Sequence, residues 1–170
     1  NPNAVVVYDY IYEDGDTYIL EEFVSGKSID EILKYDGLFS EKDTAKIIID
    51  VCKALDELHS QKPPVVHNDI KPSNIIIRDD KSVKLIDFDI SRRYKKGQLQ
   101  NTDLYATQPY AAPEHYGFGQ SEPRTDIYGL GVTMNEMLTG EVLSTEHQIT
   151  YKGKMKKILN KCVEYNPKNR

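Results

Sequence analysis

The sequence predicts an α+β fold that is mainly helical, led by a β-hairpin and interrupted midway by a second, smaller hairpin. Three observations predict it. Two β-rich runs, Ala4 to Val7 and Thr17 to Val24, flank Glu13-Asp14-Gly15-Asp16, and Asp-Gly between such runs marks a hairpin. Ile48, Val51, Cys52, Leu55 and Leu58 recur at three- and four-residue steps, the spacing of one buried helical stripe. Asn74 to Arg78 and Ser82 to Ile86 are short β-rich runs around Asp79-Asp80-Lys81.

The elements follow in order. Ser28-Ile29-Asp30-Glu31 is a capping-box pattern, and Gly37 ends the short helix it starts. Ser40 to Asp43 repeats the device before a longer helix, Glu41 to His59, which Pro63-Pro64 stops. Residues 91–111 are polar and read as a long loop, and one that long inside a compact domain is usually functional or disordered. A further helix is expected from Thr125, as N-cap, to Leu138, with Gly140 beyond its end, and a last one from Lys154 to Tyr165.

Composition narrows the function classes. A length of 170 residues suits one domain. Hydrophobic residues at 39% and charged residues at 29% suit a globular chain. The net charge of −5 argues against nucleic acid as a partner, because phosphate neutralisation needs an excess of Lys and Arg. Cys52 and Cys162, with no CxxC spacing, read as two buried thiols in a reducing compartment. Apolar runs such as Ile75-Ile76-Ile77 fall far short of the roughly 18 residues that span a bilayer. A soluble, cytoplasmic domain is expected.

The chemistry lies between His67 and Glu114. Asp69, Lys71 and Asn74 share one Pro-braced loop, and Asp87-Phe88-Asp89 returns to the same end of the small hairpin. Together they supply a carboxylate to orient a nucleophile, a cation for a phosphate, and hard oxygens for Mg²⁺. Phosphoryl transfer needs this inventory because it runs on positioning and charge neutralisation. Any one of these residues alone is more often a turn Asp or an Asn cap.

These motifs, in register, resemble the C-terminal lobe of a eukaryotic-like Ser/Thr protein kinase along essentially the whole chain. His67, Asp69, Lys71 and Asn74 match the catalytic loop (67–74), and Asp87-Phe88 opens an activation segment (87–114) closed by Ala112-Pro113-Glu114. Asp126 is similar to the helix aspartate beneath that loop, and Arg170 to the arginine that pairs with Glu114. The resemblance implies ATP and Mg²⁺ as cofactors and a protein substrate. It implies Asp69 as the catalytic aspartate, Lys71 as the cation neutralising the γ-phosphate, and Thr107 as a bonding partner of both. Asn74 and Asp87 would hold Mg²⁺. The Glu22 carbonyl and Val24 amide would meet the adenine edge, with Ile76 beneath the purine, although Ile76 reads equally well as plain core. Val7, His67 and Phe88 look like parts of a hydrophobic spine.

Departures from the pattern open alternatives. Asn68 replaces the usual Arg, which weakens Thr102, Tyr105 and Thr107 as phosphorylation sites. Asp89 replaces Gly and adds a carboxylate near the metal position. Glu21 sits at the gatekeeper position with no partner evident from sequence. The stretch from Gly140 to Arg170 is short for the family, so a truncated C-terminal end is expected. Residues 1–24 match only the last two small-lobe strands and the start of the hinge, with residues 25–170 as the large lobe. No G-x-G-x-x-G and no Val-Ala-x-Lys strand occurs in the chain. The chain alone is therefore expected to be inactive and to bind nucleotide weakly. Self-association is expected through hairpin residues such as Val5, Val7, Ile19 and Leu20. Beside the active kinase stand a pseudokinase, favoured by Glu21, Asn68 and Asp89, and a small-molecule phosphotransferase resembling choline or aminoglycoside kinases. The last fits His67-Asn68-Asp69 but not the activation segment. His59, His115 and His147 read as surface or capping residues.

Overall fold

The computed structural model describes residues 1–94, 107–116, 120–143 and 148–170. Strands β1 (Val7–Glu13) and β2 (Asp16–Glu21) form the leading antiparallel hairpin, closed through Asp14 and Gly15, both at positive φ. β1 begins later than the apolar pattern suggests, because residues 3–5 give their backbone groups to another sheet. Val5 N–H donates to the Leu85 carbonyl at 2.9 Å, and Leu85 N–H donates to Asn3 at 2.8 Å. β2 stops at Glu21, so Phe23 and Val24 lie outside any strand.

Next come β3 (Lys27–Ser28), α1 (Ile29–Tyr35) and α2 (Glu41–His59). The capping box at α1 forms as expected: Ser28 Oγ accepts from Glu31 N–H, and the Glu31 carboxylate accepts from Ser28 N–H. α2 has the expected bounds, but its buried face is Thr44, Ile47, Ile48, Val51, Ala54 and Leu55. Cys52 stands exposed and Cys162 is only half-buried, so the expected pair of buried thiols is not found. Spacing alone had put Cys52 on the stripe; the packed face lies closer to Ile47 and Ala54.

β4 (Val65–Val66), β5 (Ile75–Ile77), β6 (Val83–Leu85) and β7 (Arg92–Arg93) are short. β3, β5 and β6 form one sheet in that order, and β4 pairs with β7. The polar stretch after residue 90 therefore contains a strand, because Arg92 and Arg93 pair with Val66 and Val65. Lys95, Lys96, Thr102, Tyr105 and His147 lie outside the described residues.

α3 (Pro123–Thr139) and α4 (Lys156–Cys162) complete the order. α3 starts earlier than expected. Glu122 is the N-cap, Pro123 takes the first turn, which needs no N–H, and Thr125 Oγ1 accepts from Glu122 N–H at 2.9 Å. α4 is shorter than expected because the carbonyls of Glu164 and Tyr165 accept from Arg170 instead of continuing a helix. The core joins α2, α3, α4 and the β5–β6 hairpin through Val51, Leu55, Ile75, Leu85, Met137 and Leu159. Gly129 of α3 lets that helix touch the loop after β4, since a Cβ there would stand 2.8 Å from the Ile70 carbonyl.

The turn at Pro113–Tyr116 is fixed by a buried ion pair. Arg170 donates to both carboxylate oxygens of Glu114 at 2.6 and 2.9 Å, and its guanidinium lies 5.0 Å from the centre of the Tyr128 ring. Thr125 Oγ1 donates to Glu114 as well, at 2.8 Å. With 0% and 5% of the two side chains exposed, removing the cation strands a buried charge. Arg170→Ala should cost about 3–5 kcal/mol, read as a lowered urea midpoint. A change under about 1 kcal/mol would place the pair among surface bridges.

Candidate active site

The site hangs from Asp126, a residue 1% exposed near the start of α3. Its Oδ2 accepts from His67 N–H at 2.9 Å and its Oδ1 from Asn68 N–H at 2.8 Å. His59 Nε2, from the end of α2, lies 2.8 Å from Oδ2. One carboxylate thus fixes the loop that follows β4, and Asn68 takes a φ of 69° there. His59 is therefore a half-buried partner of Asp126 rather than a surface residue, which a lone histidine at a helix end could not reveal.

Asp69, Lys71, Asn74 and Thr107 come together. Asp69 Oδ2 accepts from Lys71 Nζ at 2.6 Å and from Asn74 Nδ2 at 3.2 Å, and Lys71 Nζ also donates to Thr107 Oγ1 at 2.9 Å. Burial raises the Asp69 pKa, but hydrogen bonds from Lys71, Thr107 and Asn74 and the Lys71 charge prevail, holding it below the usual aspartate value. Asp69 Oδ1 is buried and, among the described residues, has no hydrogen-bond partner. A buried unpartnered carboxylate oxygen is costly unless a donor arrives. An acceptor hydroxyl is such a donor. Asn74 spends its amide N–H groups on Asp69, including its carbonyl at 3.0 Å, which leaves Oδ1 with a 3.4 Å contact from Ser73 Oγ.

Asp87 sits at φ 66°, after β6, and the Phe88 ring packs tilted against the His67 ring, 4.8 Å between centroids and 58° between planes. His67 connects the two turns: its Nδ1 accepts from Asp69 N–H at 3.3 Å, and the charges of both Asp69 and Asp87 act on its ring. Asp87 shares an open cleft of about 590 Å³ with Glu21, Asp89, Thr17, Tyr18 and Ile19. Glu21 is exposed there. Its pKa is raised by partial burial and by repulsion from Asp89 and Asp87. Asn74 Oδ1 and the Asp87 carboxylate are hard oxygens suited to a divalent cation. Among the described residues no group of three or more His, Cys, Asp or Glu could hold a metal alone.

The segment after β2 carries Glu22 and Val24. Glu22 N–H donates to the Val6 carbonyl at 2.8 Å, and its carboxylate meets Lys84 Nζ at 2.7 Å. Lys84 Nζ also donates to the Ala4 carbonyl at 3.1 Å, tying hairpin to sheet. Val24 and Ile76 are half-buried. Ile75 and Ile77 of β5 pack into the core, whereas Ile76, on the alternate face, does not join it. Ile76 instead lies under the backbone at Gly26, where an added Cβ would come within 2.8 Å of its Cγ2. Sequence reasoning missed Lys84, Gly26 and His115. A strand lysine, a loop glycine and an isolated histidine carry no local signal, because each acts on residues distant in the chain.

His115 is buried, not superficial: its Nδ1 accepts from Ala112 N–H at 3.1 Å, and its Nε2 lies 3.4 Å from Asn68 Oδ1. Burial holds the pKa of both His67 and His115 below the ordinary histidine value, against the pull of nearby carboxylates. A histidine buried neutral contributes stability that is fully present above its unfolded pKa, about 6.5, and is lost as pH falls from there toward its depressed folded pKa. The urea midpoint should therefore drop between about pH 7.5 and 5.5. A flat midpoint across that window would refute neutral burial of the two rings.

A family model described as the protein kinase domain matches residues 1–170. A probable serine/threonine-protein kinase of Clostridium perfringens is 35% identical over 143 residues, covering 84% of this chain and 21% of that protein. The probable serine/threonine-protein kinase PknB of Bifidobacterium longum is 34% identical over 152 residues, with 82% and 22% covered. Serine/threonine-protein kinase PrkC of Bacillus subtilis is 32% identical over 143 residues, with 84% and 22% covered. The chain thus spans about a fifth of the length of these relatives. With the model matched end to end, this chain belongs to the protein kinase domain family.

Proposed function

We propose that the protein carrying this chain transfers the γ-phosphate of ATP to Ser or Thr hydroxyls of protein substrates, with Mg²⁺. The observation that carries the reading is Asp69, whose Oδ2 is held by Lys71 and Asn74 while its buried Oδ1 lacks a donor among the described residues. Asp69 accepts or orients the hydroxyl proton of the acceptor. Lys71, with Thr107 fixing its ammonium, neutralises charge on the phosphoryl group in transit. Asn74 and Asp87 hold Mg²⁺, which supplies charge neutralisation at the phosphates when bound. The Glu22 carbonyl and Val24 amide take the adenine edge, and Ile76 lies beneath it. The match of the whole chain to the protein kinase domain weighs against a small-molecule phosphotransferase.

Residues 1–24 supply the end of the small lobe and the start of the hinge; residues 25–170 form the large lobe. The exposed Tyr10, Ile11, Ile19 and Leu20 of the hairpin are the surface for self-association, with Val5 excluded because it is buried. Among the described residues no helix is long and apolar enough to cross a membrane, and we assign this domain to the cytoplasm. A pseudokinase is the second reading, favoured by Glu21, Asn68 and Asp89, with the carboxylates of Glu21 and Asp89 in one cleft; the intact Asp69, Lys71, Asn74 and Asp87 argue against it.

In the full-length protein, Asp69→Asn should lower Ser/Thr peptide phosphorylation by about 10²–10⁴-fold. Wild-type protein without MgATP-dependent transfer would sink the enzyme reading. The chain tested alone has no G-x-G-x-x-G to cradle phosphates. Calorimetric titration of it with MgATP should give an affinity weaker than about micromolar, and tighter binding would overturn that expectation.

A further inference from the structure

Three parts of the chain meet at one pair of side chains. Asn68 and His115 are each 6% exposed, and they belong to the loop after β4 and to the turn that follows Ala112-Pro113. Their hydrogen bonds run in one direction. Ala112 N–H donates to His115 Nδ1 at 3.1 Å, which leaves the ring proton on Nε2, facing Asn68 Oδ1 at 3.4 Å. Because its Oδ1 accepts, the Asn68 amide nitrogen is free to donate, to the Ile90 carbonyl at 3.1 Å and to the Val66 carbonyl at 3.5 Å. Asn68 is itself fixed by its backbone N–H on Asp126. The relay therefore begins at the closing end of the activation segment, passes through the catalytic loop and finishes at Ile90, three residues after Asp87.

We propose that Asn68 and His115 are positioning residues: an uncharged clasp that locks both ends of the activation segment onto the catalytic loop and so shapes the platform for the acceptor peptide. The proposal rests on the phosphoryl-transfer reading for its effect on activity, but the clasp itself does not. Its donors and acceptors are matched with both side chains neutral, so no added charge is needed to close it. Burial favours the neutral ring, against the pull of Glu114, Asp126 and Asp69, and the Arg92 charge favours it too. Thr107, which binds Lys71, and Tyr110, whose hydroxyl donates to Glu136 at 2.6 Å, lie just before the clasped turn. Loosening the turn would therefore disturb acceptor placement before it disturbed nucleotide.

The test is a double-mutant cycle in the full-length protein, with Asn68→Ala, His115→Ala and both together. Two readouts are taken: hydrogen exchange of the peptide spanning residues 107–116, and KM for an acceptor peptide beside KM for ATP. Each single substitution should speed exchange and raise peptide KM by about tenfold, the worth of one buried hydrogen bond, with ATP KM unchanged. The double substitution should add little, because both remove the same link. Unchanged exchange, additive effects, or an equal rise in ATP KM would overturn the clasp. If the alanine variants fail to fold, His115→Gln, whose amide still donates toward Asn68, should keep exchange within about threefold of wild type, and Asn68→Asp should loosen residues 88–92 more than 107–116. The reverse pattern would also overturn it. If wild-type protein transfers no phosphate, the phosphoryl-transfer reading falls, while exchange alone still decides the clasp.

Discussion

The Asp126 carboxylate is the constraint on which the site depends. It lies at the start of a helix whose remaining turns are packed in the core, so its position is set by α3 as a whole rather than by the loop it serves. Two consecutive backbone amides, of His67 and Asn68, end on its two oxygens, and His59 from α2 meets the same carboxylate. A carboxylate accepting several N–H donors is strongly held, and the donors are held with it. The next residue, Asp69, inherits that placement. The site is therefore referenced to two core helices and not to its own flexible backbone.

From that anchor the catalytic loop spreads order outward through short polar links. Lys71 bridges Asp69 to Thr107, and Asn74 returns to the backbone and side chain of Asp69. Glu114, with Thr125 and Arg170, pins the end of the activation segment to the same helix that carries Asp126. Each link is modest alone, but buried networks with few open ends stiffen one arrangement over its alternatives. Among the described residues, Asp69 Oδ1 is an open end at the centre. An oxygen left without a donor amid matched neighbours is what a site awaiting a hydroxyl requires.

The cleft side of the molecule has a different balance. Glu21, Asp87 and Asp89 face one another across open space, so this wall is negative, whereas Lys71 supplies the cation on the loop side. Open carboxylates on one wall are hard oxygens of the kind that divalent cations take. The Glu22–Lys84 pair and the Ala4 carbonyl on the same ammonium hold the hairpin against β6 without drawing on the cleft carboxylates. Positioning of the segment after β2 is thus electrically separate from the cleft that Asp87 and Asp89 line.

The local signals in the sequence determined a good part of this protein. Asp14-Gly15 made the hairpin, Ser28 with Glu31 started α1, and α2 has the predicted bounds, because turns and caps are contacts between near neighbours in the chain. The meeting of Asp69, Lys71, Asn74 and Thr107 and the pairing of Glu114 with Arg170 were also legible, through motif spacing and resemblance. What spacing could not reveal was every residue whose partner lies far along the chain. His59 and His115 look alike in sequence, yet one meets Asp126 and the other Asn68, across separations of 67 and 47 residues. Lys84 and Gly26 likewise take their meaning from residues on other elements, and Cys52 was placed on the wrong side of its helix by a stripe a fraction of a turn off. Burial and long-range hydrogen bonding are properties of the packed chain, so only the tertiary structure decided which polar side chains became part of the machinery.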